Sequence, residues 1–142
     1  MNKTLNYMGL AKKAGLFETG EENAGAAVRA GKARLVILAS DASDNARRRA
    51  EGFVAGKKVP LVTVPFTKDD ISSETGRPGC AMAAFTDIGF AASFASSLAE
   101  TDSGFEALAE TIHLSFEKTK KRRQEAKAHE RNKKIGKRRK SV

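Results

Sequence analysis

Cysteine and histidine are nearly absent from this chain: Cys80 stands alone, and His113 and His129 are the only histidines among 142 residues. A single cysteine excludes an internal disulfide framework and fits a reducing compartment. No Cys/His pair has metal-ligand spacing, and both histidines lie outside the compact part of the chain, so no convergent catalytic set is in view. Cys80 opens the apolar stretch CAMAAFT and is expected as an inert core thiol. Long apolar runs are missing as well. Nothing approaches a membrane span, and the start MNKTLNYMG lacks the apolar region of a secretory signal. Aromatic residues are few, eight Phe and one Tyr: Phe53, Phe85, Phe90 and Phe94 fall at core positions, Tyr7 is a candidate surface aromatic, and no exposed stacking platform forms. The expectation is a soluble, cytoplasmic, monomeric protein that is not an enzyme and carries no cofactor or metal.

What the chain has in excess is positive charge, unevenly placed. Residues 118–142 hold 13 Lys and Arg against two acids, Glu125 and Glu130. Residues 1–117 hold 13 basic residues against 15 acidic ones, a net of −2. A near-neutral domain thus carries a cationic extension whose expected partner is a polyanion.

The domain is organised around Thr19–Asp41, TGEENAGAAVRAGKARLVILASD. Leu35 to Ala39 is apolar at every position, so this strand is expected at the centre of a sheet covered on both faces. Gly20 precedes a helix over Glu21–Ala30 that opens with two glutamates, favourable beside free backbone N–H groups, and contains a weakening Gly25. Before this unit, a helix is expected over Leu5–Ala14 and a short strand at Leu16–Thr19. After it come a helix from Ser43 or Asp44 to about Ala55, a strand at Val59–Val64 and a short helix over Lys68–Glu74 capped by Thr67. The turn Gly76–Gly79, a strand over Cys80–Thr86 and a helix from Ile88 to Leu98 complete the series. Alternation of this kind gives an α/β fold, a three-layer α/β/α sandwich with a small sheet. Residues 1–98 form the domain and 99–117 a linker and amphipathic segment with Phe105, Leu108, Ile112 and Phe116 on one side. Residues 118–142 form a Lys/Arg-rich tail, helical to about Lys134 and disordered beyond it.

Asp41, Asp44 and Asp87 follow strands or open helices, where capping explains them better than carboxylate catalysis. Binding is better supported. Lys12, Lys13, Lys32, Arg34 and Arg77 all fall near element ends. Backbone N–H groups at the Glu21 helix start, after Gly20, suit a phosphate or the edges of non-Watson–Crick bases, with Glu22 and Asn23 as polar partners. The Thr19–Asn23 and Gly76–Gly79 turns meet there if their strands are neighbours. Two glutamates at this turn repel phosphate unless paired. Arg47, Arg48 and Arg49 read as the outer face of a helix, and Lys120, Lys121, Arg122 and Arg123 as the backbone-binding part of the tail.

LNYMGLAKKAG, TGEEN, AVRAGKARLVILASDASDNARR, VPLVTVPFTKDD and GRPGCAMAAFTDIGFA, in this order and spacing, resemble the bacterial YlxQ-type proteins. These belong to the superfamily of ribosomal proteins L-seven-Ae and L-thirty-e, and the resemblance covers about residues 3–98. It implies a three-layer sandwich around a small mixed sheet and the binding of RNA kink-turns or similar internal loops, often in a ribosome or ribonucleoprotein. Kink-turn binders carry Gly-x-Asn-Glu at the second helix, where the pair reads sheared G·A pairs, and a lysine one turn later. The matching positions here are Gly20, Glu22, Asn23 and Ala26, so the pair is reversed and the lysine is alanine. Gly25 stands at a position that is usually apolar. The family loop that cradles an extruded nucleotide corresponds to Arg77, Pro78 and Gly79.

The resulting expectation is non-enzymatic binding of structured RNA, ribosomal RNA or a kink-turn-like loop, with the tail on the phosphate backbone. The alternative is a protein-interaction or regulatory module of the same fold that does not recognise kink-turns, with Phe105, Leu108 and Ile112 as its apolar surface.

Overall fold

The computed structural model describes residues 2–140, so Ser141 and Val142, the end of the expected tail, lie outside the described residues. Helix α1 (Lys3–Lys13) starts at Asn2, whose side-chain oxygen accepts from Thr4 N at 2.9 Å, and it buries Met8 and Ala11. Strand β1 (Phe17–Thr19) leads through Gly20 into α2 (Glu21–Arg29). Strand β2 (Leu35–Leu38) follows, then α3 (Asp44–Val54) with Ser43 as its cap. Strand β3 (Leu61–Thr63), α4 (Lys68–Thr75) and β4 (Met82–Phe85) come next. Thr67 and Asp70 close a reciprocal capping box at the start of α4, satisfying two otherwise unpaired donors.

The four strands lie in the order β1-β4-β2-β3. β4 runs antiparallel to both neighbours, and β2 and β3 are parallel, so the sheet is mixed. The all-apolar β2 is central and buried at all four positions. Its side chains divide between two cores, as strand geometry requires. Leu35 and Ile37 join Met8, Phe17, Phe85 and Phe94 on the face covered by α1, α4 and α5 (Ile88–Thr101). Val36 and Leu38 join Ala24, Ala27, Val28 and Ala50 on the face covered by α2 and α3. The architecture is therefore a three-layer α/β/α sandwich with a small mixed sheet.

Most elements lie within one or two residues of the sequence expectation, α1 starting two residues earlier at Lys3, and three differences bear on the strands and on α5. Only Leu61–Thr63 pairs within Val59–Val64, because β3 is an edge strand with one neighbour and Pro60 lacks a ladder donor. β4 begins at Met82, not Cys80. α5 continues three residues past Leu98 to Thr101 before Asp102, which caps the 3-10 turn Ser103–Phe105 by accepting from Gly104 N at 2.8 Å.

Helix α6 (Glu106–Lys140) then runs without interruption through the boundaries expected at residues 117 and 134. Ile112 is 1 % exposed, and Phe105, Leu108, Ala109 and Phe116 pack around the same core. The apolar face on which the protein-interaction alternative relied is thus used within the fold, Ile112 fully and Phe105 and Leu108 in part. At about 1.5 Å per residue, the remaining part of α6 extends a cationic rod well past the sandwich. No helix of the described residues is long and apolar enough to cross a membrane.

Candidate nucleic-acid interface

The site is built at the end of the sheet where β1 leaves and β4 enters. These two strands are neighbours, with Thr19 opposite Ala83, and Gly20 N donates to Met82 O at 2.9 Å. That pairing brings the turn into α2 beside the loop before β4, though 58 residues separate Thr19 from Arg77. The Arg77 guanidinium donates to Thr19 O at 2.7 Å, and the Asn23 side-chain amide donates to the same oxygen at 3.0 Å. Lys12 Nζ reaches Thr19 Oγ1 at 3.4 Å from the end of α1. Thr19 thus gathers one cation from the end of α1, a second from the loop before β4 and a polar group from the start of α2.

Only glycine fits the corner. Gly20 has φ +96° and ψ 158°, a region that L side chains avoid. A Cβ there would also lie 2.7 Å from the Arg77 guanidinium carbon, so the arginine lies against the bare backbone. α1, α3, α4 and α5 each receive a side-chain cap, whereas α2 has none. Its first N–H groups keep their donor capacity and the positive end of the helix dipole.

Glu21 does not cancel this field, because Arg49 from α3 pairs with its Oε2 at 3.1 Å. Its other oxygen, Oε1, is buried and without a hydrogen-bond partner among the described residues. Glu21 and Gly20 share a pocket of about 190 Å³ with Arg77, Pro78 and Gly79. Cys80 also lines this pocket, but burial pushes its thiol above the usual range, against weaker opposing effects from hydrogen bonds and Arg77. That leaves it a poor nucleophile. No group of His, Cys, Asp and Glu among the described residues is arranged to hold a metal ion.

The fifteen residues singled out from the sequence fall in three places. Gly20, Glu21, Arg77, Pro78 and Gly79 surround the small pocket, with Lys12 and Asn23 joined to it through Thr19. Asn23 also opens a groove of about 390 Å³ along α2 that passes Ala26 and ends at Lys32. Glu22 and Lys13 are exposed near these surfaces and take no hydrogen bond or ion pair among the described residues. Arg34 is not part of this group: it sits where β2 begins, at the far end of the sheet, in a groove with Arg122. Lys120 and Lys121 face another side of α6 beside Leu114, and Arg123 is exposed.

Thr19 and Arg49 were not among the expected site residues. Nothing in the sequence marks a main-chain carbonyl as a hub. Arg49 did carry a signal, since it lies three residues after Ala46 and four before Phe53, at the edge of the packed face of α3.

Comparison with known proteins agrees with this architecture. Residues 2–94 match the model of the ribosomal protein L7Ae/L30e/S12e/Gadd45 family. The chain is 36 % identical over 76 residues to an RNA-binding protein YlxQ from Enterococcus faecium, an alignment covering 54 % of this chain and 73 % of that one. A Bacillus halodurans protein of unknown function superposes with a TM-score of 0.63 at 28 % identity, covering 69 % of this chain and 98 % of the other. A 15.5 kD RNA-binding protein from Giardia lamblia shares the fold, with a TM-score of 0.54 at 24 % identity over 73 % of this chain and 85 % of its own. With residues 2–94 matched and a YlxQ relative aligned over most of its length, the chain belongs to the L7Ae/L30e/S12e/Gadd45 family as a member of YlxQ type.

Proposed function

We propose that this protein is a non-enzymatic binder of structured RNA that recognises a kink-turn-like internal loop, as in ribosomal RNA, at the start of α2. It acts as a cytoplasmic monomer on a ribosome or other ribonucleoprotein. The observation that carries this reading is the convergence at Thr19 and Gly20: an uncapped helix start, the Arg77 clamp and a Glu21 carboxylate already paired with Arg49. Donors aimed outward from a rigid, bent backbone suit phosphates and splayed bases, and a neutralised Glu21 no longer repels them. The Asn23 amide keeps its oxygen for a base edge while its nitrogen holds Thr19 O. Lys32, at the other end of the groove past Ala26, supplies a cation in the groove that Ala26 lines. Lys120, Lys121, Arg122 and Arg123 on α6 add salt-dependent affinity through phosphate contacts. The related YlxQ protein named as RNA-binding supports the same reading.

Fluorescence anisotropy with two RNAs tests it. One carries an internal loop with tandem G·A pairs, and the other is a fully paired duplex of equal length. The full chain should prefer the loop, and Arg77→Ala or Asn23→Ala should erase most of that preference while leaving duplex binding in place. Equal affinity for the two RNAs overturns the reading.

A further inference from the structure

The opposite end of the sheet carries a second cationic surface. Val36 pairs with Leu61, so β2 and β3 begin side by side, whereas Gly20 lies beyond the Ile37–Ala83–Thr19 end of the ladder. At about 3.3 Å per residue, the two ends are separated by roughly 15 Å. A groove of about 380 Å³ opens there between the strand entries and α6. Arg34 and Lys58 line one wall, Lys118 and Arg122 the other, and Ser115 and Thr119 add hydroxyls. No carboxylate lines it, and none of the four cations forms an ion pair among the described residues.

Four unpaired like charges in one groove repel each other, so the arrangement favours a bound anion. The wall that carries Lys118 and Arg122 is fixed: Ile112 anchors α6 in the core less than two turns before Lys118. The nearest acid on that stretch, Glu117, is turned toward His113 at 3.9 Å. Beyond Arg122 the helix carries Arg123, Lys127, Arg131 and Lys133 against Glu125 and Glu130, so net positive charge continues around and along it and suits a phosphate polymer better than a mononucleotide.

We propose that this groove seats the sugar–phosphate backbone of a second RNA segment, so that the protein bridges two RNA segments held at opposite ends of its sheet. The proposal extends the RNA-binding reading, moves Arg122 from general backbone affinity to this groove and uses none of the residues at the Gly20 turn, so either can fail alone.

The probe is a short labelled oligouridine, which offers phosphates without an internal loop, titrated into the full chain. Lys58→Gln and Arg34→Gln should each weaken binding about two- to fivefold, the range of an exposed ion pair. Each should lower the salt slope of log K by about 0.7, as expected for one lost single-strand contact. Lys57→Gln removes the same charge one residue away, outside the groove, and should change little. Oligouridine should also still bind when the G·A loop RNA is already bound. Equal effects of Lys57→Gln and Lys58→Gln overturn the proposal, as does displacement of oligouridine by one equivalent of loop RNA. Tighter binding of a polyglutamate peptide than of oligouridine overturns it too. A failure of loop-over-duplex preference bears instead on the Gly20 site.

Discussion

The two faces of the sheet are built from different stock. Under α1, α4, α5 and the start of α6, the core is built on large side chains with alanines between them, and Phe85 lies between Phe17 at 4.7 Å and Phe94 at 4.9 Å between ring centroids. Under α2 and α3 it is made mainly of Ala24, Ala27, Ala33, Ala50 and Ala84, with Val28, Val36, Leu38 and Met82 between them. Large interdigitated groups hold most of the apolar area and therefore most of the stability. Small groups let α2 and α3 approach closely, which places Arg49 against Glu21 and Phe53 against Gly25. One face secures the fold, and the other positions the start of α2.

Mutations should separate these roles, and the largest effect belongs to the aromatic face. Phe85→Ala should cost about 3–5 kcal/mol by urea unfolding, the range for emptying a buried phenyl site. Val28→Ala on the other face removes two methyl-sized groups and should cost only about 1.5 kcal/mol. Similar losses from both would abolish the contrast.

Gly20→Ala comes next. The alanine meets a backbone conformation costing of order 1–3 kcal/mol, and its methyl would displace Arg77 from Thr19 O. Stability and loop-RNA preference should fall together, and Arg77→Ala should reproduce the second effect with little of the first. The sharpest measurement is a crystal structure of Arg77→Ala with Gly20 unmoved.

Gly25 looks like a flaw when α2 is viewed alone, since glycine inside a helix costs about 1 kcal/mol relative to alanine. In the fold its bare Cα receives the Phe53 ring: a Cβ there would lie 2.7 Å from Cζ. The same ring lies 5.9 Å below the Arg29 guanidinium, so three residues from two helices share one contact. Gly25→Ala should therefore destabilise by about 1 kcal/mol, overpacking outweighing the gain in helix propensity. In a Phe53→Leu background the same substitution should turn neutral or stabilising. A stabilising Gly25→Ala in the wild-type chain would mean that Phe53 swings aside freely.

How much of this was legible depended on whether the cause was local. The apolar run Leu35–Ala39 announced a central strand, and Ser43, Thr67 and Asp87 announced helix starts, because period and capping act over a few residues. Gly20 was visible for the same reason. The grouping of cations was not. Lys32, Arg34 and Arg77 all stand at element ends, yet strand direction and order decide which end of the sheet each one reaches. With β4 antiparallel to β2, Arg77 enters beside Gly20 while Arg34 enters at the far side. The Phe53–Gly25 contact was hidden likewise, since each residue alone suggested only a core aromatic and a weak helix.

The smallest expected stability change comes from the pair that joins the two helices at the site. Arg49 and Glu21 are 3.1 Å apart, with side chains 58 % and 34 % exposed, so solvent screens their attraction and Arg49→Gln should cost at most about 1 kcal/mol. Its effect on RNA binding should be larger than that figure suggests. Without Arg49 a full carboxylate charge stands beside the uncapped N–H groups of α2, where it competes with phosphate and repels it. The double variant Arg49→Gln/Glu21→Gln removes both charges and should recover most of the lost affinity for loop RNA. Recovery would assign Arg49 to neutralising Glu21. If the double variant binds as poorly as Arg49→Gln alone, Arg49 touches RNA directly, and the α2–α3 face contributes its own cation to the interface.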